Sequence, residues 1–129
     1  MTKWNIDRGK KVTGGRIHLH RKKKKFQRVS MPLLTEIGEE KRKIKKARGG
    51  NKKIKLVKAE FANVFDTKTK KSQKLKILDV ISNPSNPQYV RRGIITKGSI
   101  IKTELGEAKV VSRPSQHGII NAVLVEDKK

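Results

Sequence analysis

Three histidines, eleven carboxylates and no cysteine are the groups with which this chain would have to perform metal or acid–base chemistry. His18 and His20 are two residues apart, His117 is remote in sequence, and no cysteine or nearby carboxylate completes a tetrahedral set, so no metal is expected. Protonation of His18 or His20 beside a phosphate suits their cationic surroundings better. A two-metal hydrolase needs clustered carboxylates, whereas Asp66, Asp79, Glu104, Glu107, Glu126 and Asp127 fall mostly at expected turns and strand ends. Glu36, Glu39 and Glu40 lie together, but cations follow at once and salt bridging accounts for them. No nucleophile elbow surrounds a serine, and three histidines leave little for a triad. The phosphate-binding pattern GxxxxGK[ST] is absent. Neither an enzyme, a cofactor nor a small-molecule substrate is expected.

The chemistry these residue types do support is neutralisation of phosphate. Lys+Arg number 34 against 11 Asp+Glu, a formal net charge of +23, and such a chain repels itself unless a polyanion is its partner. The cations recur in clusters: "RGKK" (8–11) with Lys10 and Lys11, "RKKKK" (21–25), "KRKIKK" (41–46) with Arg42, "RGGNKK" (48–53) and "YVRRG" (89–93). One like-charge run is commonly a solvated tail. Repetition along a segment poor in apolar residues points instead to threading along a phosphate backbone. Each neutralised phosphate releases counterions, which gives log K a slope against log salt of roughly −0.7 to −0.9 per contact. Lysine outnumbers arginine, favouring point-charge neutralisation over bidentate base reading.

The glycine pairs "TGGR" (13–16) and "RGGN" (48–51) serve either as hinges or as places where backbone amides approach a phosphate closely. Trp4, Phe26 and Tyr89 sit among cations, and each either stacks on an unpaired base or tucks against its neighbours.

These groups need elements to position them. Residues 1–53 hold 19 Lys+Arg and 4 Asp+Glu, and residues 54–129 hold 15 and 7. The expected organisation is therefore a basic arm over 1–53, extended or disordered alone, and a β-barrel domain over 54–129. Within the arm, "TEIGEEKRKIKKA" (35–47) is compatible with a short helix, with Glu39 and Lys43 one turn apart and "RGGN" ending it. Beyond it, "IKLVKAEFANVF" (54–65) has strand composition, and "LKILDVI" (75–81) alternates with Leu75, Ile77 and Ile81 on one face. "SNPSNPQYVRRG" (82–93) and "RPSQHG" (113–118) are expected loops. "SIIKT" (99–103) and "EAKVVS" (107–112) are expected to form a hairpin, and "IINAVLVE" (119–126) a closing strand. The fold class is mainly β, a small barrel after a long basic, largely extended N-terminal arm. Hydrophobic residues are 33% and aromatics 4%, so the core must be modest. No apolar run is long enough for a membrane span and the start lacks an apolar signal region, so a cytosolic protein with no membrane partner is expected.

Four blocks, "KKVTGGRIHLHRKKKKF" (10–26), "RGGNKK" (48–53), "NPSNPQYVRRGIITKGSII" (83–101) and "SRPSQHGIINAVL" (112–124), together resemble the archaeal and eukaryotic small-subunit ribosomal protein eight-e family. The short chain ending soon after "NAVLVEDKK" looks like the archaeal form. The resemblance implies a structural constituent of the small ribosomal subunit, cytoplasmic, bound to its large RNA and adjoining other small-subunit proteins. It implies RNA contacts at Thr13, Gly14, Gly15, Arg16, Arg21, Lys22, Lys23, Lys24 and Lys25. It extends them to Arg48, Gly49, Gly50, Asn51, Lys52, Lys53, Arg91 and Arg92. The charge and ring reading adds Lys10, Lys11, His18, His20, Phe26, Arg28 and Arg42. The alternative is a histone-like or architectural nucleic-acid-binding protein outside the ribosome, which would want a groove-fitting helix or ribbon and a dimer seam.

Overall fold

The computed structural model describes residues 3–6 and 9–125; Glu126 and Asp127 lie outside the described residues. The chain forms two compact units, Met1–Pro32 and Leu33–Lys129.

In the first unit β1 (Lys3–Trp4) pairs antiparallel with β2 (Arg28–Val29), and the Asn5 N–H donates to the Gln27 carbonyl at 2.8 Å. A 3-10 turn over Lys25–Gln27 precedes β2, its entry fixed by the Lys24 N–H donating to Gln27 Oε1 at 2.9 Å. No described residue before Thr35 is buried. With so little apolar surface removed from water, this unit has the character of the extended arm expected from its composition.

The second unit contains β3 (Thr35–Ile37), β4 (Lys41–Lys46), β5 (Lys52–Ala59), β6 (Phe61–Asp66), β7 (Lys71–Ser82), α1 (Gln88–Arg91), β8 (Ile94–Ile95), β9 (Ile100–Thr103), β10 (Gly106–Val110), α2 (Pro114–His117) and β11 (Asn121–Leu124). Five strands close into a barrel in the order β10-β11-β6-β7-β9, and β4-β5-β3-β8 form a second sheet. The β11–β6 pairing is parallel, while the other barrel pairings are antiparallel. The hairpin and closing strand expected near the C-terminus are β9–β10 and β11.

Alanine and aliphatic side chains fill the barrel. Ala62, Val64, Leu75, Ile77, Val80, Ile101, Ala108, Val110 and Ala122 point inward, joined by Leu56, Ala59, Ile95 and Ile120 from outside its strands. Burying each Val, Ile or Leu contributes roughly 1.5–3 kcal/mol relative to exposure. No aromatic residue belongs to this buried cluster, which is how a chain with 4% aromatics closes a barrel.

Three expectations need revision. Residues 35–47 contain strands β3 and β4, not a helix. Gly38 (φ 148) breaks the run, its N–H donates to the Ala59 carbonyl at 3.1 Å, and β5 offers ladder partners to the segments on both sides. Tertiary pairing thus overrides a weak local preference. Within this segment Glu40 pairs with Arg42. In β7 the register shifts between Ile77 and Asp79 and again before Ser82, so Val80 turns inward at 2% exposure and Ile81 outward at 42%. The Val80 N–H donates to Asp79 Oδ1 at 2.7 Å, holding this irregularity. Finally, both expected loops contain a single helical turn, α1 in one and α2 in the other.

The division at 32/33 differs from an arm ending at 53, because β4, inside the expected arm, pairs along its length with β5 of the expected barrel domain.

Candidate nucleic-acid interface

β4 and β5 form an antiparallel ribbon in which Lys43 faces Lys55, Lys45 faces Lys53, and Lys46 faces Lys52, with Lys41 opposite Lys58 at its base. Between positions 41 and 59 there are ten Lys or Arg and no carboxylate. Like charges directly opposite one another destabilise a sheet by roughly 0.2–1 kcal/mol per pair. These like-charge pairs oppose the register rather than support it.

Side-chain alternation sorts the ribbon into two faces. Arg42, Ile44, Lys46, Lys52, Ile54 and Leu56 share one, and Lys43, Lys45, Lys53 and Lys55 share the other. The first is anchored at Gly118, the left-handed residue after α2, where a Cβ would come within 2.9 Å of Ile54 Cγ2. Pro114 starts that helical turn and the Gly118 N–H closes it on the Pro114 carbonyl at 3.1 Å. "RPSQHG" is therefore a device for seating the ribbon. The second face carries four lysines and no apolar side chain from β4 or β5 between them.

The tip is "ARGGN". Gly49 (φ 66) and Gly50 (φ 73) are consecutive left-handed residues, a conformation costing other residues roughly 1–2 kcal/mol each. Ala47 N–H donates to the Asn51 carbonyl at 2.7 Å, and Asn51 Nδ2 to the Arg48 carbonyl at 3.1 Å. This glycine pair makes a hairpin turn and exposes Arg48 at its end.

Arg91 and Arg92 are presented by a braced loop. Asn83, 5% exposed, donates from Nδ2 to the Ile94 carbonyl at 3.1 Å, while its Oδ1 accepts from Ser85 N–H and Thr96 Oγ1. Asn86 Oδ1 likewise accepts from the Gln88 N–H at 2.9 Å. Each Asn-Pro step thus folds on its own asparagine side chain. Arg92 lies 3.9 Å from Glu36, with both side chains largely in water.

In the first unit, Lys10 bridges to Arg16, and the Lys11 N–H donates to the Gly15 carbonyl at 2.8 Å. Gly14 (φ 81) donates to the Lys11 carbonyl, so "VTGG" is a tight exposed turn that includes Thr13. His18, His20 and Arg21 through Lys25 are all exposed, as are Phe26 and Arg28. Arg21 lies over the Phe26 ring and Lys23 over the Trp4 ring, each 5.7 Å from the centroid. These contacts leave one face of each ring covered by a cation.

The expected site residues thus fall into two groups: the exposed hairpin and run of the first unit, and the ribbon and loop of the second. Lys55 and Lys58 lie outside the charge clusters read from the sequence, while Lys41, Lys43, Lys45 and Lys46 enter there only as part of "KRKIKK". The signal for them was charge runs on both sides of a Gly-Gly turn, which is a hairpin pattern.

Glu60 and Asp66 serve the fold. Glu60 pairs with Lys76 at 3.0 Å, and Asp66 accepts from Thr69 Oγ1 at 2.8 Å and Lys68 N–H at 2.9 Å in the β6–β7 turn. The Thr69 hydroxyl first, and the Lys68 amide second, hold the Asp66 carboxyl below its ordinary pKa. Among the described residues, no three His, Asp or Glu side chains converge as a metal site would require, and no helix is long and apolar enough to cross a membrane.

A family model described as ribosomal protein S8e matches residues 4–125. The chain is 51% identical over 123 residues to the small ribosomal subunit protein eS8 of Methanocorpusculum labreanum, covering 95% of this chain and 98% of that protein. It is 52% identical over 120 residues to the protein of the same name from Sulfurisphaera tokodaii, covering 92% and 93%. A third, from Methanospirillum hungatei, is 46% identical over 123 residues. Barrel, basic arm and sequence likeness converge: the chain belongs to the ribosomal protein S8e family.

Proposed function

We propose that this protein is a structural constituent of the small ribosomal subunit in the cytoplasm, where it binds and stabilises small-subunit ribosomal RNA and so supports translation. The observation that carries the RNA contact is the ribbon: cross-strand lysine pairs in a segment with no carboxylate, on a member of a ribosomal family. RNA packed in a subunit brings phosphates close together, and a two-stranded cationic ribbon enters where a globular body cannot. The basic residues of positions 1–53 supply most of the attraction, and the barrel holds the base of the ribbon. The first unit buries no described residue, so its order comes mainly from the RNA around it. Neighbouring subunit proteins complete its surroundings. No catalytic step is assigned, since Glu36, Glu40, Glu60, Asp66 and Asp79 are engaged in ion pairs, a turn and a bulge.

Replacing Arg21 through Lys25 with alanine tests this. Binding to small-subunit RNA should weaken and its salt slope flatten, with the thermal transition of the second unit retained. An unchanged slope refutes the electrostatic reading. Tighter binding to duplex DNA than to structured RNA at equal salt would favour an architectural DNA protein instead.

A further inference from the structure

The outer wall of the barrel carries a group of side chains that neither the ribbon nor the arm explains. Along β6, Ala62 and Val64 enter the core while Phe61, Asn63 and Phe65 face outward. Phe61 is 41% and Phe65 39% exposed, in a chain with only three phenylalanines. Asn63 stands between them, opposite Lys74 on β7 and Asn121 on β11. Phe65 faces Val123, which faces Lys109 on β10.

Asn63 Nδ2 donates to Asn121 Oδ1 at 3.3 Å. That bond uses one donor and one acceptor and leaves Asn63 Oδ1 to accept and Asn121 Nδ2 to donate. The two amides share a groove with Phe65 and Lys74. The Lys74 ammonium lies 4.8 Å from the Phe61 centroid, which holds it beside the groove. Residues two apart on one strand are roughly 7 Å apart, so a planar ligand on the Phe65 ring reaches the amides with its edge.

We propose that this face is a second RNA site that takes an unpaired nucleotide. Its base stacks on Phe65, its edge meets the Asn63–Asn121 pair, and the adjoining phosphates lie at Lys74 and Lys109. Exposed rings on a sheet, with amides between them and cations beside them, match how single-stranded RNA is bound. Duplex RNA does not fit, because its bases are already stacked and paired. A protein partner is disfavoured because the lysines flank the rings, whereas protein–protein interface cores are depleted in lysine. The assignment rests on RNA as the partner but is independent of the ribbon and arm.

The test uses the full chain, a single-stranded RNA hexamer and a duplex RNA of equal length. Phe65→Leu keeps an apolar side chain but removes the stacking plane. Hexamer affinity should fall roughly tenfold, with duplex affinity and the salt slope unchanged. Equal loss on both probes, or no loss with an unaltered melting transition, overturns the proposal. Should Phe65→Leu impair folding, side-chain amide resonances of Asn63 and Asn121 in the natural protein decide. Shifts on adding the hexamer support the site, and silence overturns it. Unchanged hexamer binding with failed incorporation into subunits would mean a protein docks here, and also overturns it. A flat salt slope in the natural protein would count against the ribbon and arm alone, since the loss on Phe65→Leu is read separately.

Discussion

Reversing charge on the ribbon should make the free protein more stable and the RNA complex weaker. Lys43→Glu places a carboxylate opposite Lys55, and Lys52→Glu places one opposite Lys46. Two unit charges about 6 Å apart in water interact by about 0.7 kcal/mol. Screening at physiological salt, where the Debye length is about 8 Å, cuts this by about half. Each substitution converts repulsion into attraction, a swing of about 0.6 kcal/mol per pair, within the roughly 0–1 kcal/mol found for exposed pairs. The double variant should therefore gain about 1 kcal/mol, or about 4–8 °C in Tm for a unit of this size.

RNA binding should move the other way. Losing two phosphate contacts reduces the magnitude of the salt slope by about 1.4–1.8 and lowers affinity by about tenfold per contact near 0.1 M salt. Thermal unfolding followed by circular dichroism reads the first effect, and filter binding to small-subunit RNA across a salt series reads the second. A double variant that melts lower and binds RNA with an unchanged slope would show that the lysine register serves the fold, and the reasoning would fail.

Two further outcomes follow from local geometry. Gly118→Ala must place a Cβ within 2.9 Å of Ile54 Cγ2 at φ 76, and should cost about 1–3 kcal/mol in thermal or urea unfolding; a neutral result would mean that the ribbon is not seated there. The Asp66 carboxyl should titrate below the ordinary value of about 3.9, and Thr69→Val should raise its midpoint in a carbonyl NMR titration. Its folded pKa is depressed, so its stabilising contribution is present above the unfolded pKa and is lost as pH falls through the folded one; a midpoint unmoved by Thr69→Val would assign the shift elsewhere.

Strand identity from Ile54 onward was legible because alternation there coincides with turn residues. "LKILDVI" announced β7 but not its bulge: Asp79 interrupts the apolar row, and only the ladder shows that the next inward residue is Val80 rather than Ile81. The clustering of cations that supports the proposed phosphate contacts was legible from charge alone. The ribbon was not. "KRKIKK" has neither the apolar alternation of a strand nor a core to bury, and its strand state depends on β5, whose pairing is a long-range fact. The glycine pair "RGGN" held the missing information, since two left-handed residues between charge runs make a turn rather than a helix end.

The distribution of apolar and charged groups in the second unit reflects two demands on one chain. Barrel closure needs little volume: alanines at 62, 108 and 122 let five strands wrap around Val64, Ile77, Val80, Ile101 and Val110. That leaves the phenylalanines of β6 and nearly all the charge available for surfaces. The ribbon then extends strand pairing beyond the core, since backbone hydrogen bonds close a ladder whatever its side chains carry. Lysines can be set opposite lysines there because backbone pairing and the Gly118–Ile54 contact hold the register against their repulsion. Alternation on the ribbon places four of these cations on one face. A register that costs the free fold stability is the arrangement expected of a surface built for phosphates, as proposed above.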